Sequence, residues 1–104
     1  MKYRTTPDGK YFVVDEVLWR CTNPHLAEED RRAWVSQLMK ARRAVKKALK
    51  EDDSEALKQA RARVQEYKVK LGERGPVWWT DGEPDYNRKK IKNTPYRDWW
   101  ESLM

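Results

Sequence analysis

The sequence has a single cysteine, Cys21, a single histidine, His25, and only four glycines among its 104 residues. One cysteine excludes a disulfide within the chain, and a lone histidine with no neighbouring cysteine argues against a transition-metal site. No run of about 18 uncharged apolar residues occurs, and the first residues contain no apolar segment, so we expect neither a membrane span nor a secretion signal. These absences predict a cytoplasmic protein that needs no metal and no cofactor.

Aromatic residues are the abundant class, with six Trp and five Tyr, although only 38% of the residues are hydrophobic and the mean hydropathy is −1.13. Each large aromatic side chain can bury roughly 150 to 250 Å² of surface. Disordered chains are poor in such residues, so the high charge content does not indicate disorder here. We therefore expect one folded domain over residues 1–104.

The N-terminal fifth of the chain has the composition of β structure. Residues 7–9 (Pro-Asp-Gly) predict a turn, and residues 10–21 are rich in Tyr, Phe, Val and Trp. Two arrangements are open. The first is a hairpin that turns at Asp15 and Glu16, and the second is one bulged strand that pairs with residues 3–5.

Two long helices follow, joined by the short link at residues 51–53. Residues 26–50 and 54–71 carry apolar side chains at steps of three and four, which is the period of a helix with one buried face. We expect Asn23 to cap the first helix, with Pro24 at its first position, and Asp53 or Ser54 to cap the second. Because the link is short, the helices must pack antiparallel. The apolar stripes are Trp34, Leu38, Ala41, Val45 and Ala48, and Leu57, Ala60, Val64, Tyr67 and Leu71.

The C-terminal third is a Trp-rich loop with several turn signals, followed by a short helix that we expect to begin at Thr94 and Pro95. Trp78 and Trp79 should anchor the loop on the helical pair, one side chain filling the core and the other lying at the edge of a pocket. The predicted fold class is therefore α+β, with a small N-terminal antiparallel β element, a long antiparallel helical hairpin, the Trp-rich loop and a short helix.

The net charge of +6 is concentrated in two clusters without acids, at residues 39–50 and 86–97. A helix projection places the first cluster opposite the apolar stripe, and the second combines cations with amides and aromatics. Such surfaces bind polyanions, so nucleic acid is the favoured partner and an acidic protein a further one. A solvated helix face is nevertheless the more ordinary explanation of the first cluster, and a solvated basic loop explains the second equally well. The predicted contact residues are Lys40, Arg43, Lys47, Lys50, Arg88, Lys89, Lys90 and Lys92.

Two other functions fit parts of the sequence. The Trp-rich surface would suit a protein-interaction module or a homodimer. The predicted pocket of Trp78, Trp79, Asp81, Asp85 and Asn87 holds two carboxylates, as a small hydrolase or a metal-dependent enzyme would require. Carboxylates in turns more commonly accept backbone N–H groups, so a non-enzymatic binding module is the main expectation and no residue is assigned as catalytic.

Several segments together resemble a family of small bacterial proteins of unknown function. The shared segments are Leu-Trp-Arg-Cys-Thr-Asn-Pro at residues 18–24, Leu-Gly-Glu-Arg-Gly-Pro-Val-Trp-Trp at 71–79, Asp-Gly at 81–82 and Asn-Thr-Pro-Tyr at 93–96. The resemblance spans nearly the whole chain and implies a bacterial, cytoplasmic setting. It carries no activity, ligand or catalytic residue over to this sequence.

Overall fold

The structure is a computed structural model that describes residues 3–104, and it confirms the α+β class. A two-stranded antiparallel sheet near the N-terminus is followed by two long helices that pack together and by a short C-terminal helix. The elements are β1 (Tyr11–Val14), β2 (Val17–Arg20), α1 (Glu28–Lys50), α2 (Ser54–Lys70) and α3 (Arg97–Ser102).

The described chain divides into two compact units. Residues 3–22 and Val77–Met104 form the first, which we call the strand unit, and Asn23–Pro76 form the second, the hairpin unit. The expectation of one domain over the whole sequence stays a prediction, and each unit is described by itself below.

The β hairpin turns at Asp15 and Glu16, as the first of the two predicted arrangements requires. Both residues have positive φ angles, 52° and 63°, which is the backbone of a type I′ turn. That turn twists in the same sense as the strands it joins, so a two-residue loop connects them without splaying. In the resulting register Phe12 lies opposite Trp19, and Val14 lies opposite Val17.

Short extended segments pair with both edges of this hairpin. On the β1 edge, Thr5 bridges to Phe12 and the Val13 N–H donates to the Arg4 carbonyl at 2.9 Å. On the β2 edge, residues 88–90 exchange two backbone hydrogen bonds with Leu18, at 2.7 and 2.9 Å. Both edges of the hairpin are therefore partly covered, and the C-terminal loop is fixed to the sheet by backbone contacts.

The core of the strand unit is aromatic. Tyr11, Val13, Leu18, Trp79 and Ile91 are buried in it, and half-buried aromatics from the C-terminal segment surround them. Tyr11 makes edge-to-face contacts with Trp79 and Tyr96, each with ring centroids 5.6 Å apart. Trp79 was expected to anchor the loop on the helical pair, but its side chain belongs to this core beneath the strands.

The helical hairpin has the predicted buried stripe. Leu38, Ala41 and Ala48 of α1, Ala60 of α2 and Leu71 directly after α2 are buried, while the other stripe residues are half-buried, namely Trp34, Val45, Leu57, Val64 and Tyr67. Small side chains at these positions let the two helix backbones approach closely. Although α1 has 23 residues, no helix within residues 3–104 combines the length and the apolar character needed to cross a membrane.

Both helices end in the same capping arrangement. At the end of α1 the Asp53 N–H donates to the Ala48 carbonyl, while Asp52, with φ 54°, occupies the left-handed position. At the end of α2 Gly72 has φ 80° and occupies the equivalent position. These are Schellman motifs, in which glycine is the least strained residue.

The ranges predicted for α1 and α2 agree with the structure to within about two residues, but two of the predicted helix caps are wrong and one is right. Asn23 does not cap α1, because its Oδ1 accepts the His25 N–H at 2.9 Å and closes a local turn; the helix begins later, after Ala27, without a side-chain cap. Likewise Thr94 precedes a turn, and α3 begins only at Arg97. Asp53 caps α2 as predicted, since its Oδ1 accepts the Ala56 N–H at 3.0 Å.

Candidate nucleic-acid interface

The outer face of the β hairpin exposes aromatic side chains. Alternation along the strands buries Tyr11, Val13 and Leu18 on the inner face and places Phe12 and Trp19 on the outer one. Tyr3 extends this surface, because its ring lies 6.0 Å from that of Phe12. Tyr3 is 47% exposed and Trp19 37%, so flat aromatic surfaces are open to solvent.

Two cations of the second basic cluster lie on the same outer face. The Arg88 guanidinium lies 5.8 Å from the centroid of the Trp19 ring. Lys90 pairs with Val17 in an antiparallel bridge, and residues paired in this way point to the same side of a sheet. Lys89 and Lys92 are also exposed, but no described contact places them on this face.

The backbone of Arg88 is unusual, with φ 69°. The left-handed region is unfavourable for a long side chain, and such strain persists only where the surrounding structure enforces it. Here the enforcing contact is the hydrogen bond from the Arg88 N–H to the Leu18 carbonyl at 2.7 Å. This bond fixes the Arg88 backbone at the β2 edge, from which the guanidinium reaches the Trp19 ring.

This surface carries its two cations along the β2 edge and its carboxylates at the hairpin turn. Among the residues that the structure describes on the outer face, carboxylates occur only at the hairpin turn, Asp15 and Glu16. Beside Tyr3 and Phe12 lies an open depression of about 560 Å³, lined further by Thr5, Cys21 and Thr22. The face thus combines flat rings, two cations and a shallow concave surface.

The structure brings the five predicted pocket residues close to one another, but the polar groups among them are occupied. Asp81 accepts from the Lys10 ammonium at 2.5 Å, and Asp85 accepts from the Arg20 guanidinium at 2.7 Å. Asn87 accepts the Arg20 N–H at 2.9 Å, and the Trp78 indole donates to the Cys21 carbonyl at 3.0 Å.

Trp79 lies at the centre of this arrangement. The charged ends of Lys10 and Arg20 lie 5.1 and 5.8 Å from its ring centroids, and both side chains are almost fully buried. The hydrogen bond from Lys10 is the main cause of a lowered pKa of the Asp81 carboxyl. Two ion pairs and a ring therefore tie the loop to the strands, which is a structural role.

No group of three or more His, Cys, Asp or Glu side chains is positioned for a metal ion within residues 3–104. Asp81 and Asp85 are engaged by separate cations and by backbone N–H groups of the loop, those of Glu83 and Asn87 respectively. This is the use of turn carboxylates that the sequence favoured.

The first basic cluster lies on α1 in the hairpin unit. Lys40, Arg43, Lys47 and Lys50 are all exposed, as the helix projection predicts. Lys47 lies 3.9 Å from Glu51, an exposed ion pair that contributes little. The two clusters thus belong to different units, and each presents its charge to solvent within its own unit.

The aromatic members of the interface, Tyr3, Phe12 and Trp19, were not predicted as site residues. A signal for two of them was present, because Phe12 and Trp19 are equally distant from the Asp15–Glu16 turn and must pair in a two-residue hairpin. Comparison of the chain with protein-family models, with curated proteins and with solved structures gave no match.

Proposed function

We propose that the protein is a non-enzymatic nucleic-acid-binding module, acting in a bacterial cytoplasm, that holds single strands on the outer face of its sheet. The observation that carries the proposal is the presence of exposed aromatic rings and two cations on one sheet surface. Bases stack on aromatic side chains, and phosphates pair with cations beside them. The exposed row on α1 adds a second basic surface for the phosphate backbone.

The roles divide by chemistry. Tyr3, Phe12 and Trp19 offer stacking surfaces whose spacing follows the strands, while Arg88 and Lys90 neutralise phosphates along the sheet edge. A duplex keeps its bases stacked inside the helix, so it gains nothing from the rings. Single strands should therefore bind the sheet face more tightly than duplexes of the same length.

The test is fluorescence anisotropy with a labelled single strand of about 16 nucleotides and its duplex, at several salt concentrations. Replacing Trp19 by Ala should weaken single-strand binding roughly 5-fold or more, since stacking is worth about 1 to 3 kcal/mol per base. Trp34→Ala is the matched control, because Trp34 also has a cation over its ring, Lys70 at 5.5 Å, but lies in the hairpin unit.

Arg88→Gly separates binding from folding. Glycine relieves the strained backbone by about 1 kcal/mol and loses a cation–π contact of about 0.5 to 1 kcal/mol, so stability should stay near that of the wild type. Binding should weaken, and the slope of log K against log salt should flatten by about 0.7 to 1. Arg63→Gln, at an exposed position of α2, should change neither quantity.

Three outcomes are decisive. Absence of binding at low salt, where electrostatic attraction is strongest, ends the nucleic-acid proposal. Equal binding of single strand and duplex, unaffected by Trp19→Ala, refutes stacking on the sheet. The third outcome concerns the slope of log K against log salt for the duplex. If the double variant Lys47→Glu and Lys50→Glu flattens this slope and Arg88→Gly does not, the duplex contacts α1.

The exposed rings favour one second candidate, a protein interface or a homodimer formed through the sheet face. A second copy would bring like charges, those of Arg88 and Lys90, onto a shared surface, which weakens this alternative. Sedimentation velocity over a wide concentration range distinguishes the two, because a dimer through this face is disrupted by Trp19→Ala and needs no oligonucleotide.

A further inference from the structure

A groove between α1 and α2 has a composition unlike the rest of the hairpin unit. Three arginines line it, Arg42 from α1, Arg61 from α2 and Arg74 from the segment after α2, and between them lie Val45 and Val64. No lining residue is acidic. Its volume is about 370 Å³, near the lower end of the range of small-molecule sites, roughly 300 to 1,000 Å³.

Two of the arginines, Arg42 and Arg61, are available for a ligand. Within residues 3–104, neither Arg42 nor Arg61 forms an ion pair, and both are exposed. Arg74 is held in place, since its Nη1 donates to the Gln65 Oε1 at 2.9 Å. Cations on one groove without a carboxylate repel one another, and a bound anion removes that repulsion.

The floor of the groove is apolar. Val45 and Val64 are both half-buried, so each has surface left that a ligand can remove from water. They belong to the apolar stripes of the two helices, which also contain the buried alanines. A ligand that fits must therefore join an anionic group to a small apolar body.

We infer that this groove binds an organic phosphate monoester with a small aromatic or apolar body. A phosphate monoester carries nearly two negative charges, which match the guanidinium groups of Arg42 and Arg61, and its three terminal oxygens can accept from both. A carboxylate has one charge and two oxygens, so a single arginine satisfies it. The site is distinct from the sheet face and does not depend on the proposed nucleic-acid function.

The probes are phenyl phosphate, inorganic phosphate and benzoate, each titrated by isothermal calorimetry at low salt. Phenyl phosphate should bind most tightly. Inorganic phosphate should bind more weakly because it does not cover the valines, and the affinity for benzoate should be roughly 10-fold or more below that for phenyl phosphate. Arg61→Gln should weaken phenyl phosphate roughly 10-fold, since a hydrogen bond to a charged group is worth about 1.5 to 3 kcal/mol.

Arg63→Gln and Lys58→Gln are the matched controls, because both positions are exposed on α2 and neither lines the groove. Both should leave phenyl phosphate binding unchanged, and Arg61→Gln should leave oligonucleotide binding to the sheet unchanged. Thermal unfolding of each variant checks that it folds. The inference is overturned if phenyl phosphate binds no better than inorganic phosphate, if benzoate binds equally, or if the control variants lose as much affinity as Arg61→Gln.

Discussion

The hydroxyl of Tyr11 is the point at which the C-terminal loop is joined to the strand core. The side chain is fully buried, and its oxygen accepts the Tyr86 N–H at 2.8 Å and donates to the Pro84 carbonyl at 3.4 Å. Burial is the main reason that the pKa of this phenol rises to about 12, so it stays protonated at neutral pH. Replacing Tyr11 by Phe removes only this oxygen and keeps the ring contacts.

The expected loss follows from the two hydrogen bonds. The 3.4 Å bond is long and contributes little, whereas loss of the 2.8 Å bond leaves the Tyr86 N–H without its acceptor. A buried N–H left without an acceptor lowers the free energy of unfolding by about 1 to 3 kcal/mol. Because Tyr86 is only half-buried, a hydrogen bond to water offsets part of this loss. We expect Tyr11→Phe to lower the free energy of unfolding by about 1 to 2 kcal/mol and the melting temperature by roughly 5 to 10 °C.

The assay is urea unfolding followed by tryptophan fluorescence, combined with hydrogen exchange of the Tyr86 amide measured by NMR. Tyr3→Phe is the control, because the Tyr3 hydroxyl makes no hydrogen bond within residues 3–104, and its change should stay within about 0.5 kcal/mol. Exchange of the Tyr86 amide should accelerate in Tyr11→Phe more than the loss of global stability explains. Unchanged stability together with unchanged exchange would show that the hydroxyl does not fasten the loop.

Other predictions concern packing, capping and pH. Trp79→Ala should lower the free energy of unfolding by roughly 3 to 5 kcal/mol and Trp78→Ala by far less, because Trp79 is buried and Trp78 is half-buried. Equal losses for the two variants in urea unfolding would contradict this. Asp52→Gly should raise the free energy of unfolding by about 0.5 to 1 kcal/mol, because Asp52 has a φ of 54°, which glycine adopts with less strain. A lower urea midpoint for this variant would contradict the prediction. Burial raises the pKa of Asp8, but hydrogen bonds from Tyr96, Thr6 and the Lys10 N–H outweigh it, so the pKa lies below its ordinary value. The ionised Asp8 carboxylate therefore stabilises the folded state fully above pH ~4, and this stabilisation is lost as the pH falls further. Asp8→Asn should flatten the dependence of the free energy of unfolding on pH in that range.

The helical hairpin could be predicted because its information is local. Leu38 and Val64 belong to stripes with a 3.6-residue period, and Asp53 precedes its helix with the side chain that a cap requires. The start of α1 could not be read as well, because an Asx turn and a helix cap use the same residue types. Asn23 bonds to His25 in a turn, and the helix begins after Ala27.

The sheet face was harder to predict, because its members come from distant parts of the chain. Arg88 and Trp19 are neighbours only because residues 88–90 pair with β2, and no periodic pattern in the sequence predicts that pairing. The same holds for Trp79, whose cation partners Lys10 and Arg20 come from the opposite end of the strand unit. Buried charges at the open end of a hairpin, here Lys10 and Arg20, require a partner that neutralises them.

The chain order of the two units bears on the sequence of folding. The hairpin unit lies between the two segments of the strand unit, so a long loop must close before the contacts between those two segments form. The Asn23 N–H donates to the Leu71 carbonyl at 2.8 Å, so the completed hairpin unit brings its first residue next to the end of α2. A hairpin formed early from local contacts thus removes most of the loop-closure entropy, and slowing its formation should slow assembly of the whole chain.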